Sequence, residues 1–71
     1  MNLLTIQTLK DGSIARSFLH YDTTEQATSA LYYTMSSSIA DANVTKVMCE
    51  LIGDNGTVCK IETYDKMQNE E

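Results

Sequence analysis

Only one stretch of this chain, residues 22–40 (DTTEQATSALYYTMSSSIA), is long and periodic enough to form a full helix. On either side of it the sequence is cut into short apolar runs by glycine-containing turns. A single helix cannot bury its apolar stripe alone, and neither can short strands, so each must cover the other. With 71 residues the chain has room for one domain. A domain of this size buries roughly 60% of its unfolded surface, which leaves a small core that commonly draws on a disulfide, a metal or a partner chain.

The helix has a start signal. Asp22 with Glu25, or Thr23 with Gln26, has capping-box spacing, and Thr23 is the preferred cap. At 100° per residue, Thr24, Ala27, Leu31, Met35 and Ser38 form one stripe, with Tyr32 and Ile39 at its edge. The opposite face holds Ser29, Tyr33, Ser36, Ser37 and Ala40, and no charged residue occurs between Gln26 and Ala40. Solvated helix faces usually carry Lys, Glu or Arg, so this face suits either plain exposure or close approach by another surface.

Before the helix, runs 3–9 and 14–21 flank Lys10-Asp11-Gly12-Ser13. Asp-Gly between two such runs signals a hairpin, because glycine accepts the positive φ that the turn requires. Two registers are open. A two-residue loop groups Leu3, Leu9, Ile14 and Phe18 on one face, whereas a three-residue loop pairs Leu4 with Phe18 and Leu3 with Leu19. In both, each face of the hairpin carries large apolar residues. One helix covers one face, so the other needs a second cover.

After the helix, residues 44–52 and 57–64 flank Gly53-Asp54-Asn55-Gly56. A three-residue loop with Gly56 at positive φ pairs Leu51 with Cys59, Cys49 with Ile61 and Val47 with Thr63, and sets Glu50 opposite Lys60. A two-residue loop would put Glu62 opposite Cys49, mixing a charged with an apolar position. The three-residue register is therefore expected along the whole hairpin. It leaves Cys49 and Cys59 on one face but diagonal, at roughly 7–8 Å, too far for an unstrained disulfide. Both are read as buried, reduced thiols. The two glycine turns and the residues after them match conservatively over six positions, Asp11–Arg16 against Asn55–Lys60, a pattern that shared turn chemistry alone can produce.

The expected fold is α+β, ββαββ, with a single helix on a four-stranded antiparallel sheet completed by oligomerisation. Strand order is open; a central strand 1 beside strand 3 would let both hairpins share one sheet. Residues 1–65 form the domain, and 66–71 read as a polar flexible tail.

Function is less constrained. The formal net charge of −5 disfavours nonspecific nucleic-acid binding, which needs Lys and Arg against phosphates. No apolar run reaches the roughly 18 residues of a membrane span, and the N-terminal residues lack a signal-peptide pattern, so a cytoplasmic setting is expected. His20 is the single histidine, and no motif ties a Ser or Cys to it. No catalytic residue, metal ligand or cofactor is assigned. A candidate ligand set is Arg16, His20, Lys46, Tyr33 and Tyr64, in which the cations would hold phosphate and a tyrosine would stack on a base. The candidate interface comprises Leu3, Leu9, Ile14, Phe18, Ser29, Tyr33, Ser36 and Ser37.

The order Lys10-Asp11-Gly12, Tyr21-Asp22-Thr23, a small-residue helix and Asp54-Asn55-Gly56 resembles short uncharacterised phage and prophage-like proteins of gut Firmicutes. The resemblance implies a mobile-element origin, a bacterial host cytosol and action by binding, with no catalytic residues. The leading expectation is a small, non-enzymatic, homo-oligomeric binding protein, as a homodimer or higher assembly. The alternative is a phage anti-defence protein that inhibits a host nuclease or sequesters a signalling nucleotide.

Overall fold

The computed structural model describes residues 1–69. The elements follow in the order β1 (Asn2–Leu9), β2 (Ile14–His20), α1 (Thr24–Ala40), β3 (Val44–Ile52), β4 (Val58–Asp65) and α2 (Lys66–Asn69). The strands form one antiparallel sheet in the order β2-β1-β3-β4. The ββαββ fold is as the sequence implies, and of the strand orders it leaves open the structure has β1 beside β3 at the centre. In the place of a tail, residues 66–69 make a helical turn, and Lys66 Nζ donates to the Asp41 carbonyl at 2.6 Å. Residues 70 and 71 lie outside the described residues.

Helix α1 begins where its chemistry says it should. Thr23 is extended, and its Oγ1 accepts from the Gln26 backbone N–H at 3.1 Å, which satisfies one of the orphan donors of the first turn. Ala27, Leu31, Met35 and Ser38 are buried against the sheet, as the stripe predicts, while Thr24 stays exposed. The core consists of these residues with Leu3, Val44, Val47, Cys49 and Leu51. One polar contact ties the sheet to the helix and another links two strands within the sheet. Gln7 Nε2 donates to Ser38 Oγ at 2.7 Å, and the buried Thr5 hydroxyl lies 3.8 Å from Cys49 Sγ.

Both hairpins turn through three residues. Leu9 N–H donates to Ser13 O and Gly12 N–H to Leu9 O, and Gly53 N–H donates to Thr57 O and Gly56 N–H to Gly53 O. Gly12 and Gly56 take φ of +90° and +89°, a region where a Cβ is strained. In the first hairpin this selects the pairing of Leu4 with Phe18 and Leu3 with Leu19.

The second hairpin corrects the expected register. The turn is the three-residue one, and Ile52 pairs with Val58, but a bulge follows at Cys59 and Leu51 pairs with Lys60. Every later pair slips by one, so Cys49 faces Glu62, Val47 faces Tyr64, and Glu50 faces Ile61 in place of Lys60. Lys60, Glu62 and Tyr64 therefore lie on the helix side, and Ile61 and Thr63 on the other. Lys60 Nζ sits 3.7 Å from Glu62 and 5.7 Å from the Tyr32 ring centroid. Charged residues fit here because β4 is an edge strand, where long side chains lie along the apolar surface and reach water.

Candidate functional site

The strand registers divide the sheet into two faces. On the helix side lie Leu3, Thr5 and Gln7 with Val47, Cys49 and Leu51 at the centre, and these are covered. On the other side the rows run Phe18–Leu4–Glu50–Ile61 and Arg16–Ile6–Met48–Thr63, flanked by Ile52–Val58 and by Ile14–Thr8–Lys46–Asp65. No element of the described chain lies over this second face. Phe18, Ile61, Ile14 and Val58 are 59%, 55%, 54% and 46% exposed. Leu4, Ile6, Met48 and Ile52 are half-buried only by their neighbours in the sheet. Eight large apolar side chains thus share one open surface, well beyond the scattered apolar residues of an ordinary monomer.

The charges on this face balance. Its strands carry Arg16 and Lys46 against Glu50 and Asp65, so the chain's formal excess of −5 resides elsewhere. The open face is the neutral side of an acidic molecule.

The predicted interface residues separate. Ile14 and Phe18 belong to the open face. Leu3 does not: the three-residue turn sets it on the face opposite Phe18, and it is 2% exposed in the core with Ala27 and Leu31. Leu9 is partly buried against the same core. Ser29, Tyr33, Ser36 and Ser37 lie exposed on the outer side of α1, a different surface. Sequence reasoning missed Leu4, Ile6, Met48, Ile52, Val58 and Ile61. For Leu4, Ile6, Met48 and Ile52 the signal is the two-residue alternation of β1 and β3 once the hairpins are joined into one sheet, whereas Val58 and Ile61 share the face only through the bulge at Cys59.

The candidate ligand residues do not converge. Arg16, His20 and Lys46 occupy three different rows of the open face, Tyr64 packs on the helix side, and Tyr33 is 75% exposed on the outer helix surface. His20 Nδ1 lies 2.9 Å from Asn2 Oδ1 and 3.9 Å from Asp54, and its Nε2 lies 4.0 Å from Asp22. Tyr64 lines a separate cleft of about 420 Å³ with Lys10, Ile39, Val44, Lys66 and Met67. None of the other four candidates lines it.

No protein-family model, curated protein or solved structure matches this chain. Among the described residues no group of three or more His, Cys, Asp or Glu is placed to hold a metal. No helix there is long and apolar enough to cross a membrane.

The thiols differ in a testable way. Cys49 is fully buried between strands and helix, whereas Cys59, expected to be buried, is exposed at the bulge. Burial pushes the Cys49 thiol above its ordinary range, with the Thr5 hydroxyl opposing in part. An aromatic disulfide reagent at pH 8 should label one thiol per chain within seconds to minutes, and Cys59→Ser should abolish that phase. The second thiol should react only as the chain unfolds, because the thiolate is the nucleophile and Cys49 is kept protonated and covered. A folded-state thiol pKa above the unfolded value favours the folded form until pH climbs past the ordinary thiol range. Stability should therefore decline through that alkaline window, and Cys49→Ala should flatten the decline.

Proposed function

We propose that this chain is a small non-enzymatic binding protein that works as a homo-oligomer, in keeping with its resemblance to phage and prophage-like proteins. The observation that carries the reading is the open face of the sheet, apolar, neutral and without a cover. Four strands at about 4.8 Å spacing and some eight residues long at about 3.3 Å each span roughly 19 by 26 Å, about 500 Å². Two such faces packed together bury on the order of 1,000 Å², the threshold of a specific interface. A second copy fits the electrostatics. Chains carrying −5 repel one another, and self-association is least opposed through the side that holds none of the excess. A strongly basic partner would be drawn to the acidic surfaces elsewhere. Sheets packed face to face also provide the second apolar layer that a domain this small needs.

Light scattering coupled to size exclusion is the direct test. The untagged chain at tens of micromolar should elute with the mass of two or more protomers. A monomer mass at that concentration sinks the proposal.

A further inference from the structure

Strand β2 is unlike the other three. All seven of its residues, Ile14 to His20, are exposed, including Ala15, Ser17 and Leu19 on the helix side. Helix α1 lies chiefly over β3 and β1, which leaves a groove beside β2 lined by Leu3, Thr5, Gln7, Leu19 and Thr34. The two sheet edges are also unequal. On β4 the Cys59 bulge breaks the ladder, and Lys60, Glu62 and Asp65 add charge, the usual protections of a free edge. β2 has no bulge and no proline, and Arg16 is its one permanent charge.

We infer that β2 pairs with β2 of a second copy, antiparallel and centred on Ser17, to make a continuous eight-stranded sheet. The inference rests on the reading that the chain self-associates and adds a contact separate from the open face. The hydrogen-bond phase fixes which groups are available. Leu9 N–H bonds Ser13 O, and Tyr21 N–H bonds Met1 O, both at 2.8 Å. Antiparallel ladders alternate, so Ala15, Ser17 and Leu19 spend their backbone groups on β1. Ile14, Arg16, Phe18 and His20 then turn theirs outward to the free edge.

A two-fold axis through Ser17 matches all four outward residues at once. Ile14 meets the partner's His20, and Arg16 meets the partner's Phe18, each pair exchanging two backbone bonds. The guanidinium then lies beside an aromatic ring on the open face. On the helix side Ala15 meets the partner's Leu19, small against large, in the groove. Sliding the register by two residues toward the turn sets Arg16 against the partner's Arg16. Sliding it the other way moves Ile14 off the end of the partner strand and loses a pair. The centred register is the one that uses every outward group and opposes no like charges.

Ser17 pairs with itself and touches nothing on the open face, so it isolates this contact. Paired residues of this kind have Cβ atoms about 4.5–5.5 Å apart, and like charges there are destabilising. Ser17→Lys and Ser17→Asp, each shown to be folded by circular dichroism, should each halve the solution mass. An equimolar mixture of the two should restore it by pairing Lys with Asp. Ile61→Lys, on the open face and far from β2, serves as the comparison. If both Ser17 variants keep the wild-type mass while Ile61→Lys lowers it, the edge pairing is wrong and the open-face reading stands. If the Ser17 variants lose mass and Ile61→Lys does not, the edge pairing stands without the open face. Loss of mass in both variants with no recovery on mixing overturns the centred register, and a monomeric wild type overturns both contacts.

Discussion

Leu31→Ala should lower the unfolding free energy by about 3 kcal/mol, read as a shift in the urea midpoint with little change in slope. Leu31 is 0% exposed at the centre of α1, in one core with Val47, Cys49 and Leu51. Removing its isobutyl group forfeits the transfer energy of the buried carbons and leaves a cavity. The backbones of β1 and β3, tied into the middle of the sheet, cannot collapse to fill it. A domain of this length has on the order of 4–10 kcal/mol to lose, so the variant should be partly unfolded at moderate temperature. Measurements belong at matched protomer concentration, because association adds to apparent stability. A loss under 1 kcal/mol would mean that the helix is not seated on the sheet as described.

Ile61→Lys should weaken self-association by a factor of about 30 or more while leaving the protomer folded. Ile61 is 55% exposed and lies in the row of Phe18, Leu4 and Glu50 at the middle of the open face. In a face-to-face assembly it enters a dry interface, where a truncated or charged hot spot costs at least about 2 kcal/mol. In the isolated protomer the same lysine points into water, and surface changes of that kind stay within about 0.5 kcal/mol. Sedimentation velocity across a dilution series separates the two effects. Unchanged association would place the interface elsewhere.

Much of this architecture can be read from residue types. The Thr23 cap, the buried stripe of α1 and the three-residue turn of the second hairpin follow from capping chemistry, helical period and side-chain alternation, whereas the first turn is open between two and three residues until the structure selects three. Joining the hairpins through β1 and β3 is one of the orders that let them share one helix-covered face, and the structure selects it. The slip at Cys59 does not follow. A β-bulge adds one residue to one strand without requiring glycine or proline there, and Cys59 sits between Val58 and Lys60 in an otherwise regular run. The register with Glu62 opposite Cys49 looked unfavourable because opposite residues share a face. Sharing a face is not sharing burial. Cys49 is central and covered, while Glu62 on the edge strand reaches the rim of the helix and then water. Leu3 leaves the expected interface for a related reason, since the turn length decides which side chains of β1 and β2 share a face. The ligand set failed on distance, because residue type alone cannot say that Tyr33 and Lys46 end on opposite sides of a two-layer domain.

The bulge at Cys59 also bears on how large an assembly can become. Two equivalent free borders would let each molecule accept a neighbour on the left and another on the right, and such addition has no natural end. With one border broken, the proposed β2 pairing would join a molecule to a single neighbour along the ribbon, and any further neighbour would have to use the open face. Under that pairing, the one-residue irregularity in β4 would stop growth along the ribbon.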